Sequence, residues 1–297
     1  MGVKGYKAFN KGMICRGKQY EENATYEENG NEICEAGVMH FCENPFDVLN
    51  YYPLVDENGD ISDFADVEAI GDIYKEKDKT ATNKLHIGAK LGLKGFIKAC
   101  VDFTIEKTRI ESGKDNETDS SGYSAQIGSS GDYAQIGSSG DCAKIGSSGY
   151  SAKIGSSGDC AQIGSSGDYA QIGSSGDYAQ IGSSGYSAKI GSSGDYAKIG
   201  SSGYSAKIGS SGDYAKITSE GKNSVVMAAG CNSIAKAKIG SWITLVEWIR
   251  TDKTDDSGNC IWIPKCVKTE YVDGERIKED IFYKLVDGEF KEVESEE

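Results

Sequence analysis

Histidine, the side chain best suited to acid–base chemistry near neutral pH, is scarce in this chain and confined to its first third. There are two histidines, His40 and His86. His40 sits in a strand-like run, Val38-Met39-His40-Phe41-Cys42, and with Glu43, Tyr51 and Glu68 could close a small polar cleft. Histidine and glutamate are residue types of general acid–base work, so His40 and Glu68 are the candidate catalytic residues. Each also has a plainer account. A strand-end histidine is commonly structural, and Glu68, close to Asp66, reads as a solvated strand face. The nine cysteines contain no C-x-x-C pair, so no zinc site is expected. Asp56-Glu57-Asn58-Gly59-Asp60 lacks the spacing of an EF-hand and reads as a turn. No G-x-x-x-x-G-K-[S/T], G-x-S-x-G or H-E-x-x-H occurs. Neither a cofactor nor a metal is therefore expected.

The element that must position everything else is a repeat. From Gly122, glycine recurs every nine residues to Gly221 in a unit G-[D/Y]-[Y/S/C]-A-[Q/K]-I-G-S-S. Ala and Ile are two places apart, so they share one side of a strand while the Gln or Lys between them faces away. Gly-Ser-Ser-Gly is turn chemistry, with glycines free to take positive φ. It is no phosphate cradle, because no helix follows it. One unit cannot enclose a core, but two can, which gives about eighteen residues per coil of a β-solenoid. Sorting by parity supports this. Asp141, Asp159, Asp177, Asp195 and Asp213 fall on one parity, as do Cys142 and Cys160 followed by Tyr178, Tyr196 and Tyr214. The other parity is mixed: Asp132, Tyr150, Asp168, Tyr186, Tyr204. Twelve units make six coils, a rod of roughly 29 Å at strand spacing. A flexible Gly/Ser linker is the alternative, but a linker does not need Ala and Ile in fixed phase. A calcium β-roll is disfavoured because Asp follows Gly directly, as in Gly131-Asp132. Ice binding would favour ranks of threonine, and Thr218 stands alone.

The expected fold class is mainly β: a β-solenoid capped by a small α+β N-terminal domain and a C-terminal β-meander. Residues 1–80 form the N-terminal domain, with an Asn44-Pro45 helix start and a strand over Phe64–Ile70. Residues 81–121 supply a strand and an amphipathic helix. Leu93, Phe96, Ile97, Cys100, Val101 and Thr104 set its apolar face, its end falls near Arg109, and it is expected to dock on the first solenoid coil. Residues 122–240 are the solenoid. Residues 241–297 are the meander, with turns at Asp256-Ser257-Gly258, Asp273-Gly274 and Asp287-Gly288.

Charge excludes some partners. The net charge is −14, with −9 in residues 1–80 and −7 in residues 241–297, while the array is near neutral. No basic stripe exists for a phosphate backbone, so direct nucleic-acid binding is not expected. No apolar run is long enough to span a membrane. MGVKGYKAFN reads as no secretory signal, and scattered thiols fit a reducing cytoplasm.

The flanks resemble an uncharacterised family of phage and prophage proteins that carry a Ser/Gly/Ala-rich nonapeptide array between similar ends. The matching pieces are Tyr6-Lys7-Ala8-Phe9-Asn10, Cys15-Arg16-Gly17, Tyr20-Glu21, His40-Phe41-Cys42-Glu43-Asn44-Pro45, Asp47-Val48-Leu49, Val67-Glu68-Ala69, Ala228-Ala229-Gly230, Val272-Asp273-Gly274 and Asp287-Gly288-Glu289-Phe290. The resemblance implies expression in the cytoplasm of a bacterial host and assigns no activity. Residues 223–240 also resemble trimeric adhesin heads, with a different period. The expected function is non-enzymatic: a phage-encoded interaction or structural protein that binds or blocks a host factor in counter-defence. Its partner is then a protein, either a host factor or a further copy of the chain in a homo-oligomer. The alternative is a small enzyme in residues 1–80, whose element order resembles a minimal ADP-ribosyltransferase. The expected binding surface is the row Tyr178, Tyr196 and Tyr214 beside Asp177, Asp195 and Asp213, since tyrosine is enriched at interfaces; the alternative is that aromatic stacking there only stabilises adjacent strands.

Overall fold

A computed structural model describes residues 2–30, 37–56, 60–107, 117–254 and 257–293. The chain is mainly β, and its centre is a β-solenoid of about seven coils, some 18 residues apart, over residues 126–245. From Gln126 to Ala237 the registers pair residue i with i+18 in parallel, as in Ile145↔Ile163 and Ile163↔Ile181, and the last coil is one residue shorter, Val226↔Ile243. Cys142 and Cys160 therefore lie in adjacent coils. Alternate strands fall into two nine-stranded sheets. One runs from Glu117–Ser120 through Gln135–Ser138 to Val225–Ala228, Trp242–Thr254 and Cys260–Tyr271. The other runs from Gln126–Ser129 through Lys144–Ser147 to Ile234–Ala237, Phe282–Val286 and Glu289–Val293. The C-terminal strands thus cap the array as two hairpins, one extending each sheet.

From Gln126–Ser129 to Lys207–Ser210 each strand is Gln/Lys-Ile-Gly-Ser, so the first of the two serines belongs to the strand and not to the turn. Ile faces inward with Ala, and that serine joins them in the core: Ile181, Ala179 and Ser183 are fully buried. Gln or Lys and the strand glycine face out. The turn chemistry also differs from expectation. No glycine of the array from Gly122 to Gly230 has positive φ; the left-handed residue is the third of each unit, among them Tyr133, Ser151, Cys160 and Tyr196, at φ 53–59°. Glycine opens the unit for a different reason. A Cβ on Gly176 would lie 2.1 Å from the carbonyl oxygen of Gly158, and one on Gly149 would lie 1.8 Å from that of Gly131. Coils stack so closely at this corner that only hydrogen fits.

The N-terminal domain has a four-stranded antiparallel sheet in the order Val3–Phe9, Asp63–Ala69, Lys84–Leu91, Ala24–Glu27, and a three-stranded sheet of Met39–Phe41, Thr80–Thr82 and Ile73–Lys75. Pro45–Asn50 is a 3-10 helix capped by Asn44, whose side chain accepts from the Phe46 amide at 3.0 Å. Helix α1 (Leu93–Lys107) buries Leu93, Phe96, Ile97, Cys100, Val101 and Thr104, and Phe96 stacks on Phe64. The expected end near Arg109, the cysteine Cys34, Glu57 to Gly59 of the acidic turn and Asp256 of one hairpin turn lie outside the described residues. Docking on the first coil needs correction. Helix α1 lies along the flank of the solenoid and touches four successive strands of one sheet, from Gln126–Ser129 to Gln180–Ser183. Its apolar stripe is as long as several coils, so the broad sheet face buries it more fully than a single rung would.

Candidate functional site

The corners carry the residues singled out in the sequence. Tyr178, Tyr196 and Tyr214 stack with ring centroids 5.0 and 4.9 Å apart and nearly parallel planes. All three are exposed. Beside them Asp177, Asp195 and Asp213 have a structural use: each Oδ1 accepts the backbone N–H of the residue one coil on, at 2.8, 2.7 and 2.6 Å. The same bond recurs from Asp132, Asp141, Asp159 and Asp168. These carboxylates close the corner between coils, and among the described residues no three potential metal ligands cluster. Lys198 and Lys216, two residues beyond Tyr196 and Tyr214, sit on the adjoining strands rather than at the corner.

The opposite corner holds a second aromatic row that sorting by column missed. Tyr133, Tyr150, Tyr169, Tyr186 and Tyr204 form a continuous ladder with centroids 5.3–5.8 Å apart. The tyrosine takes the third place of the unit at Tyr133 and Tyr169 and the second at Tyr150, Tyr186 and Tyr204, so no single column shows it. The available signal was one tyrosine in each coil.

The two outward faces of the solenoid are built alike and used differently. On one, the N-terminal domain sits down on the strand glycines. A Cβ on Gly146 would stand 3.0 Å from Val101, and one on Gly182 would stand 3.0 Å from Ile97; Gly164 adjoins Phe46, and Gly200 adjoins Leu54 and Leu93. Polar side chains of the same face are matched. Lys144 pairs with Asp47, Lys236 with Asp60 at 3.1 Å, the Gln162 amide donates to Asn50, and Gln180 accepts from the Leu54 amide at 3.0 Å. Burial raises the Asp47 carboxyl above the ordinary value despite Lys144. Burial also acts to raise that of Asp60, but bonds from Lys11 and Lys236 outweigh it and hold this carboxyl low. On the other face, a Cβ on Gly155, Gly173, Gly191 or Gly209 would meet nothing within 4 Å. These glycines form the floor of a shallow groove bordered by Lys153, Lys189 and Lys207 and ending at exposed Val225 and Met227. No ion pair joins these three lysines to a described residue. Lys189 and Lys207 are register partners on adjacent strands, a like-charge pairing that an anionic neighbour would relieve.

Of the four N-terminal candidates, the structure brings His40 and Tyr51 to one cleft and leaves Glu43 and Glu68 outside it. His40 lines a cleft of about 350 Å³ between the two small sheets, with Tyr51 at its edge. Glu68 is not among its lining residues; it pairs in register with Lys4 and His86. Glu43 forms an ion pair with Lys75 at 2.7 Å. The cleft's buried polar group is Lys7, which sequence reading passed over because lysine inside a strand looks like a solvated face.

Residues 3–99 match the model of an uncharacterised family, a domain of unknown function (DUF7666). The match takes in the small sheets, the cleft and the first half of helix α1, and stops short of the repeat array. No curated protein and no solved structure matches the chain. No described helix is long and apolar enough to cross a membrane.

Proposed function

We propose that this chain is a protein-interaction scaffold whose uncovered solenoid face receives an acidic amphipathic helix of a partner protein. The carrying observation is the row of strand glycines on that face. Glycine within a strand costs about 0.5–1 kcal/mol relative to alanine, and its usual justifications fail here: φ is not positive, and no neighbour among the described residues would meet a Cβ. Glycine in a strand also marks close approach by another backbone or ligand. The covered face supplies the precedent within the same molecule, since there identical glycines admit the ridge of helix α1, while Asp47 and Asp60 of neighbouring segments meet the lysines. The open face offers the same floor, three lysines and an apolar end, and an apolar helix ridge flanked by carboxylates fits it. A second copy of the chain fits less well, because face-to-face association brings lysine rows together. The tyrosine rows border this face and would extend the contact.

Taken with the resemblance to phage and prophage proteins, the partner is a bacterial host factor, held or blocked in the cytoplasm. The test is cross-linking in cells that express the full chain, with mapping of the linked residues. Links from Lys153, Lys189 or Lys207 to an acidic helical segment of another protein support the reading. Links from these lysines only to another copy of the chain, or links that avoid the face altogether, sink it.

A further inference from the structure

The N-terminal cleft holds a buried cation that no carboxylate among the described residues neutralises. Lys7 is 6% exposed, and its ammonium donates to the carbonyl oxygen of His40 at 2.8 Å. It lies 5.5 Å from the ring centre of Phe9 and 5.7 Å from that of Tyr20. No carboxylate among the described residues pairs with it. A buried unpaired charge is among the costliest groups a fold can keep, and an ammonium has three donors, of which the bond to His40 uses one.

The rim adds to this. Arg16 sits at the tip of the hairpin joining Ile14–Cys15 to Lys18–Gln19, at φ 49°, with Gly17 at φ 77°. Such a turn favours asparagine before glycine; arginine there is strained, and strain of this kind gathers at functional positions. Arg16 also has no ion pair with a described residue. Of the other lining cations, Lys18 is taken by Glu28 at 2.5 Å and Lys79 by Glu76 at 2.9 Å. Cationic side chains thus collect at one cleft in a domain of net charge −9 over residues 1–80. Tyr20, Tyr51 and Tyr52 supply flat apolar walls, with the Tyr52 hydroxyl turned to Cys15 at 3.2 Å.

We propose that this cleft binds a small organic oxyanion, a carboxylate or phosphate attached to a planar ring, with the acidic group against Lys7 and Arg16 and the ring among the tyrosines. Burial lowers the proton affinity of Lys7, and an anion bound beside it would raise that affinity again.

Calorimetric titration of the full chain tests this with a nucleoside 5′-monophosphate as the phosphate arm and 4-hydroxybenzoate as the carboxylate arm. The uncharged nucleoside and inorganic phosphate are the controls. One charged ring compound should bind at micromolar level and both controls far more weakly. Lys7→Met should weaken that binding roughly 10- to 100-fold, the worth of a charge-assisted hydrogen bond. Arg16→Asn should weaken it while raising the melting temperature, and it carries the test alone if Lys7→Met does not fold. Failure of both arms to bind below millimolar concentration overturns the proposal. So does binding that both variants leave unchanged, or inorganic phosphate binding as tightly as the ring compounds.

Discussion

Three glycines a few residues apart in one coil should respond to the same substitution in three different ways. At Gly176 an alanine Cβ would lie 2.1 Å from the carbonyl oxygen of Gly158 and 2.4 Å from its carbon. Both are backbone atoms of the stacked coil and cannot move without opening the ladder. Gly176→Ala should cost about 3 kcal/mol or more, at the upper end of overpacking. At Gly182 the Cβ would lie 3.0 and 3.1 Å from the end of the Ile97 side chain. That chain can yield a few tenths of an ångström, so a penalty of about 1 kcal/mol is largely offset by the gain of about 0.5–1 kcal/mol from replacing a strand glycine. At Gly173 the Cβ meets nothing, and the same gain stands alone. With roughly 2–4 °C per kcal/mol for a chain of this size, Gly173→Ala should melt a few degrees above the wild type, Gly182→Ala close to it, and Gly176→Ala about 6–12 °C below. Urea and thermal midpoints on the three purified variants give the comparison. A Gly176→Ala protein as stable as wild type would refute the close-stacking account of the corner. A Gly173→Ala protein that loses stability would show that the open-face glycine has an internal reason, and the argument for a partner would go with it.

Two further outcomes follow from buried charges. Burial lowers the Lys7 pKa below 10.5, so between its folded value and 10.5 the unfolded chain binds the extra proton and stability rises with pH. Lys7→Met should therefore stabilise the unliganded protein by about 1 kcal/mol or more at neutral pH, and the advantage should shrink across that alkaline window in melts taken at successive pH values. At the docking interface, Lys144→Met or Asp47→Leu alone should destabilise by about 3 kcal/mol by orphaning the other charge, whereas the pair together should be near neutral in a double-mutant cycle.

Much of the architecture is legible in the sequence because it is periodic. The fixed phase of Ala and Ile marks the strands, and the uninterrupted aspartates from Asp141 to Asp213 give the coil length because each carboxylate bonds to the coil above. The stripe from Leu93 to Thr104 and the Asn44-Pro45 cap are local signals, and local signals survive. What the sequence hides depends on tertiary contact. A glycine code letter does not say whether φ, a stacked carbonyl or a docked domain requires it, so the left-handed residue was assigned to glycine when it falls on Tyr, Ser, Cys or Asn. Identical units on the two parities carry no mark of which face the N-terminal domain covers. Element order places His40 and Glu68 in one small domain but does not fix the strand register that keeps Glu68 opposite Lys4 and His86. Lys7 alternates as a surface lysine would, and only the fold of the Met39–Phe41 strand over it makes it a buried cation.

The central claim is that the uncovered face of the solenoid exists to be covered. Once cross-linking has defined a partner segment, its affinity for the full chain can be read by fluorescence anisotropy of the synthetic peptide. The decisive comparison is a variant carrying Gly155→Gln, Gly173→Gln and Gly191→Gln, whose added side chains project into open space. A melting temperature at or above wild type with an affinity lowered at least roughly 100-fold, as expected when close backbone approach is blocked at the centre of an interface, is the predicted result. Undiminished binding by that variant would contradict the claim, and the more so if replacing Tyr178, Tyr196 and Tyr214 by serine abolished binding instead, since recognition would then belong to the tyrosine row and not to the glycine floor.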